Sequence, residues 1–246
     1  MSSDKLGENQ MTTRTTQTSP LYRARVAGFL YLIANLFAPF TLLYLPSRFI
    51  VRGESAATAA NIIASESLFR FGIVLNLFTF IGQIFLVLAL YQLLKVVNKN
   101  LAALMVIFSL AAVPIAMLNE LNNLAVLQLL SGADYLKVFT TEQLQALVYL
   151  FLRLHNQGLN IAQIFWGLWL FPMGYLVFKS GFLPRILGVL LMIACFGYVI
   201  QSFAAFLGYN VSIIFFTGWG ELLLLLWLLI KGVNVEQWEK RALESA

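Results

Sequence analysis

The chain has 246 residues, of which 60% are hydrophobic and only 11% charged, with a mean hydropathy of +0.82; soluble domains carry about a quarter charged residues, so this composition excludes one and calls for a lipid environment. A net charge of +5 invites a nucleic-acid reading, but the basic residues sit at the ends of apolar runs and make no patch interleaved with aromatics, which argues against it. A single cysteine, Cys195, and a single histidine, His155, exclude an intramolecular disulfide, a thiolate cluster, a bis-histidine haem and any metal site needing two His ligands, and no cofactor is called for.

Residues 1–22 are polar and rich in Thr, Ser and Gln. They lack the basic segment joined to a short apolar core that marks a cleaved leader, and they read as a disordered cytoplasmic tail in which Met11 is an alternative start. Six apolar runs follow, at 26–45, 71–94, 101–130, 144–178, 186–207 and 211–230. Each is long enough for the roughly 20 helical residues that cross a hydrocarbon core of about 30 Å. They predict an all-α, polytopic bundle of six transmembrane helices over 23–232. Eleven Lys and Arg residues fall on the side of the N-terminus, against five on the other, Arg48, Arg52, Arg70, Lys137 and Arg153. Both termini are therefore cytoplasmic, in a bacterial-type inner membrane.

The connections carry their own signals. In the first outer loop, 46–67, the Ala-rich stretch 56–64 predicts a short helix with Ser55 as its N-cap, serving as packing or as a lid. Between helices four and five, Gly181 reads as a helix stop and Pro184 as a first-turn residue, so the two helices form a tight hairpin. Residues 233–246 place Val235 and Trp238 on one face and charges elsewhere, as a short interfacial helix would. Three helices in each half allow an inverted 3+3 arrangement, but the sequence displays no matching broken helices.

Two blocks resemble a bacterial family of small multi-spanning membrane proteins catalogued only as a domain of unknown function. One is Arg25-Val-Ala-Gly28-Phe-Leu-Tyr31-Leu-Ile33 at the entry to helix one. The other runs from His155 and Gly158 through Phe165-Trp-Gly-Leu-Trp-Leu-Phe-Pro172 to Gly174-Tyr-Leu176, and on to Ser180-Gly-Phe-Leu-Pro-Arg185 and Gly188. The resemblance implies a six-helix integral membrane protein and carries over no reaction, ligand or catalytic residue.

Polar groups within the spans can be ranked by depth, at about 1.5 Å per residue from the nearest cytoplasmic basic residue. Glu221 and Asn35 come out about 15 Å deep and Gln83 about 18 Å, a layer near the bilayer centre. Gln163 and Gln201 lie at about 24 Å, Asn76 and Asn160 at about 28 Å and Glu120 at about 31 Å, an outer layer. On helix four, Asn156, Gln157, Asn160 and Gln163 make a polar stripe about 120° wide with His155 facing away, while Arg153, at about 39 Å, snorkels into outer water. An ionised Glu221 at mid-bilayer costs at least about 2.5 kcal/mol, and no Lys or Arg shares its depth, so a protonated Glu221 bonded to Gln83 or Asn35 meets that cost. Glu120 pairs with Arg153 or with amides of helix four. Each amide can equally be glue between helices.

Familiar chemistries find no footing. A retinal Schiff base needs a mid-helix Lys, a serine triad would have to use the lone outer His155, and there is no phosphate loop, no His-Glu-x-x-His and no pair of intramembrane Asp residues. The leading reading is a non-enzymatic membrane protein, partnered by membrane lipids, whose outward-facing cavity binds or passes a small amphipathic molecule or proton. Glu221, Gln83 and Asn35 form its floor, and Asn76, Glu120, Asn160, Gln163 and Gln201 its wall. Alternatives are an intramembrane enzyme acting on a lipid or isoprenoid through Glu221 or Glu120, and a structural or accessory subunit whose protein partner the sequence leaves unnamed.

Overall fold

A computed structural model describes residues 19–209 and 211–244. The expected tail lies outside the described residues as far as position 18, and so does the alternative start at Met11. Helix α1, Pro20–Leu36, opens on Pro20, whose missing N–H costs nothing in a first turn. It is followed by a π-helical turn, Phe40–Tyr44, and by α2, Leu45–Phe49, which complete a first span of 30 residues. After the short α3, Ser55–Ala64, come α4, Glu66–Leu94, and α5, Lys99–Leu129. The fourth span joins α6, Thr141–Leu168, to α7, Leu170–Ser180, and the fifth is α8, Arg185–Phe206. A final apolar rod joins α9, Ile214–Thr217, to α10, Trp219–Ile230, and the chain then turns by 102° into α11, Val235–Glu244.

The described chain is all-α. Five spans are long and apolar enough to cross a membrane, and the Ile214–Ile230 rod makes a sixth if it is counted with the helix bent away from it. Side chains on α4 show why the fold needs lipid. Phe71, Val74, Phe78, Ile81 and Phe85 recur at helical spacing, and each is 43 to 61% exposed. The opposite face buries Ile73, Phe80 and Val87 to 7% exposure or less. A helix apolar all round is one whose solvent is partly hydrocarbon.

Local chemistry sets the ends. Thr140 and Gln143 close a reciprocal capping box at the start of α6, and the Asn98 side chain accepts the Leu101 N–H at 2.9 Å at the start of α5. Gly181 ends α7 at φ +77°, in the left-handed region a stop residue needs. The hairpin it begins is tight because a Cβ on Gly174 would lie 2.6 Å from the Gly188 carbonyl. Two expected caps shift by a position: Glu54, without a side-chain bond, is the N-cap of α3, with Ser55 inside the helix, and Pro184 is the N-cap of α8. Helix α3 buries Ala59 and Ile62 in one cluster with Val126, Val148 and Leu152, and its buried Thr58 accepts the Val51 N–H at 3.0 Å.

The core divides by level. At the end bearing both described termini, Leu86, Leu90, Met105, Met173, Leu224 and Leu228 pack in one cluster. Trp238 of α11 joins it and donates its indole N–H to the Leu93 carbonyl at 2.9 Å. At the opposite end Leu45, Phe49, Ile62, Ile73 and Leu152 make a second cluster. Basic side chains at the end bearing the termini lie over aromatic rings, Arg23 on Trp238, Lys95 on Tyr91, Lys179 on Tyr175 and Arg185 on Phe178, at 5.5 to 6.0 Å. This is how cations rest at a headgroup boundary.

A cavity between broken spans

Three spans are interrupted at about the same level. In the first, Pro39 has no N–H to continue the ladder and the winding loosens into the π turn. In the fourth, Pro172 cannot bond the Leu168 carbonyl, and the helix divides at Trp169. In the sixth, Gly218 separates α9 from α10. Counted from Arg25, Lys179 and Lys231, these breaks lie about 15 to 20 Å from the end bearing the termini. Single Pro and Gly residues make these breaks in runs that stay apolar throughout, and the third span, Lys99–Leu129, has no break to match that of the sixth.

Beside the breaks is a cavity of about 600 Å3, lined from Tyr31, Asn35, Trp169 and Glu221 at its deep end to Phe49, Phe69, Asn123 and Asn156 toward the other. Residues of both end clusters line it, so it occupies the space between the two packed layers.

The Glu221 carboxyl, in the first turn of α10, is gripped by two phenols. Tyr31 of α1 donates to Oε2 at 2.7 Å and Tyr198 of α8 donates to Oε1 at 2.8 Å. The partners expected from depth counting, Gln83 and Asn35, are engaged elsewhere: Gln83 donates to the Ser109 hydroxyl at 3.0 Å, and Asn35 folds back on the Tyr31 carbonyl of its own helix at 3.0 Å. A phenol reaches across a helix interface where a short amide binds the turn below it. Three spans are thus tied at one acid, and among the described residues the lining includes no Lys or Arg.

A second acid lies toward the opposite end. Glu120, 2% exposed, accepts from Asn76 at 2.9 Å and from Asn123 at 2.8 Å, and His155 Nε2 stands 3.2 Å from its Oε1. The expected ion pair with Arg153 is absent among the described residues, and Arg153 is exposed. Glu120 itself stays behind the wall, while Asn76, Asn123 and His155 reach the cavity surface.

The face of α6 is rotated from the one its polar stripe suggested. Leu152, His155, Asn156, Leu159, Gln163 and Trp166 line the cavity, an arc from about 200° to about 300° counted from Arg153. His155 therefore faces the cavity rather than away from it. Asn160 falls outside that arc and accepts no cavity role; it donates to Gln157 at 3.2 Å. The polar arc misled because α6 closes on α5 through Gly158, where the Asn119 amide lies against the bare Cα and donates to the His155 carbonyl at 2.8 Å. That contact fixes the rotation of the helix.

Gln163 donates to the Ser202 hydroxyl at 2.9 Å, and the Gln201 side-chain oxygen accepts the Ile214 N–H at 3.0 Å, capping the last rod. The Thr79 hydroxyl, also in the lining, is buried and has no hydrogen-bond partner among the described residues. Of the eight polar residues singled out in the sequence, Glu221, Gln83, Asn35, Asn76, Gln163 and Gln201 meet at this cavity, Glu120 backs it and Asn160 lies off it. Depth counting missed Tyr31, Tyr198, Trp166 and Trp169. Helical spacing was the available signal, since Tyr31 is one turn before Asn35 and Tyr198 three residues before Gln201. Among the described residues no three His, Cys, Asp or Glu side chains gather as a metal ion would require.

Residues 26–232 match the family model described as "Domain of unknown function (DUF4386)", and the chain belongs to that family. It is also similar to a protein of Archaeoglobus fulgidus described only as uncharacterized, with 34% identity over 154 residues, covering 61% of this chain and 76% of the relative. No solved structure matches.

Proposed function

We propose that this member of the DUF4386 family binds a small amphipathic molecule in the cavity between its spans, and that the cavity opens on the outer face of the membrane. One observation carries the reading: polar side chains remote in sequence, Asn35, Asn76, Gln83, His155, Gln201 and Glu221 among them, converge on a void of about 600 Å3 whose wall is otherwise mostly aliphatic and aromatic. Cavities of about 300 to 1,000 Å3 with an apolar wall and a few fixed polar groups suit ligands that have an apolar body and a polar head. Passage of a proton alone would need only a file of polar groups, not this volume. The outward orientation rests on the basic residues: Arg23, Arg25, Lys95, Lys99, Lys179, Arg185, Lys231, Lys240 and Arg241 are at or beside the end bearing the termini, against five at the other.

Binding of N-phenyl-1-naphthylamine, a neutral amphipathic fluorophore, to the protein in nanodiscs tests the reading. Saturable binding near one molecule per chain is expected, and Ala38→Trp, which fills the void from its lining, should abolish it while the fold is retained by circular dichroism. Non-saturable partitioning that the variant leaves unchanged would overturn the proposal.

The His155–Glu120 pair beside the cavity supports a second reading, an enzyme that moves a proton on a lipid-like substrate. Its test is the lipid composition of cells carrying His155→Gln, where an unchanged profile counts against it.

A further inference from the structure

The electrostatics of the cavity point to the charge of what it holds: we propose that the ligand is a hydrophobic organic cation, such as a quaternary ammonium or a protonated lipophilic amine. This rests on the small-molecule reading above and adds the chemistry of the head group.

The wall carries an acid with no basic partner: Glu221 is part of the lining, and among the described residues the lining includes neither Lys nor Arg, while its histidine, His155, stands 3.2 Å from Glu120. The second acid, Glu120, stands directly behind Asn76 and His155. Both groups that grip Glu221 are phenols donating to it, at 2.7 and 2.8 Å. They fix the carboxyl as an acceptor and bring no positive charge. Each carboxyl oxygen keeps acceptor capacity beyond the one phenol it engages. A cation placed there supplies the counter-charge in place of the proton that otherwise meets the cost of burying Glu221, whereas an anionic head would meet the acid in a low-dielectric setting and a neutral one would leave it as it was.

The rest of the wall agrees. Tyr31 meets Trp169 edge to face with ring centroids 6.3 Å apart, and Phe80 stacks on Trp166 at 6.1 Å. All four line the cavity, with Tyr198 beside Glu221. Aromatic faces carry the negative part of the ring quadrupole, so such a wall attracts a cation while it also buries the ligand's apolar body. Carboxylate and rings select for the same head group, and against the anion.

Two ions of one shape, tetraphenylphosphonium and tetraphenylborate, and a smaller neutral relative with three phenyl groups, triphenylphosphine oxide, separate charge from hydrophobicity. They are measured by equilibrium dialysis against the full chain in nanodiscs of zwitterionic lipid. Saturable tetraphenylphosphonium binding is expected, at least about tenfold tighter than the neutral oxide, with no saturable binding of the borate. Glu221→Gln should weaken the cation about tenfold and leave the oxide unchanged, the oxide also reporting that the variant is folded. If the oxide or the borate binds as tightly as the cation, or if a folded Glu221→Gln keeps full affinity for the cation, the assignment of charge fails and the small-molecule reading stands. If none of the three binds saturably, both fall. Should Glu221→Gln not fold, the order of the three probes on the unaltered chain decides alone.

Discussion

Tyr31 and Glu221 are 190 residues apart in the chain and 2.7 Å apart in the fold. With Tyr198 on the other oxygen, this contact binds the first, fifth and sixth spans at one point. In a membrane, helices gain little from burying one another's apolar faces, so directional contacts of this kind set register. Removing either hydroxyl, by Tyr31→Phe or Tyr198→Phe, should cost about 0.6 kcal/mol and at most about 1.7 kcal/mol, the range for polar bonds between membrane helices. The double variant should cost more than the sum, because each phenol partly covers for the other. Thermal or denaturant unfolding in one fixed detergent measures all three; strict additivity would show that the two bonds act independently.

Glu120 offers a sharper test of charge. Its two oxygens accept from Asn76 and Asn123, with His155 also on Oε1. Glu120→Gln keeps the shape and replaces one acceptor by an NH2 group. With the neighbouring amides held in their present orientation, a donor then faces a donor, at a cost of about 1 to 3 kcal/mol. Asn123→Asp in the Glu120→Gln background restores an acceptor opposite the new donor and should recover part of the loss. No recovery in an unfolding experiment would mean that the cost comes from the lost charge rather than from donor–donor conflict.

The bundle and its spans could be read from the sequence because length and hydropathy alone decide them. The cavity was legible in part, since Glu221, Asn35 and Gln83 are conspicuous in an apolar run and depth counting places them together. Partners were not legible. Depth fixes height along a helix and says nothing of its rotation, and the rotation of α6 is set by the seating of Asn119 on Gly158. His155 and Asn160 were therefore assigned to the wrong faces. The breaks at Pro39, Pro172 and Gly218 were hidden for another reason: hydropathy averaged over a span does not register a single missing hydrogen bond.

Gly158 carries a prediction of its own. A Cβ there would overlap the Asn119 amide, so Gly158→Ala has to displace it from the His155 carbonyl, at a cost of about 1 to 3 kcal/mol for overpacking. Asn119→Ala removes both the obstacle and the bond. The double variant should therefore be more stable than the sum of the two single losses predicts. If the losses simply add, the two residues do not meet as described. His155 should move with Asn119, and its side-chain NMR signals would report that.

The direction in which the cavity opens is testable by labelling. The native Cys195 is buried, and in a Cys195→Ser background any reactive thiol is one introduced by design. Asn156 is exposed and lies in the lining toward the end away from the termini, so Asn156→Cys should react with a membrane-impermeant maleimide added to intact cells. Lys240→Cys, on α11 at the opposite end, should react only after the cells are opened. Among the described residues the basic side chains divide nine to five in favour of the end bearing the termini, which sets this expectation. Reaction of Lys240→Cys from outside, with Asn156→Cys protected until lysis, would invert the topology and make the cavity open to the cytoplasm. Saturating tetraphenylphosphonium should slow labelling of Asn156→Cys if the cation occupies the same cavity. Unchanged kinetics in its presence would place the cation elsewhere.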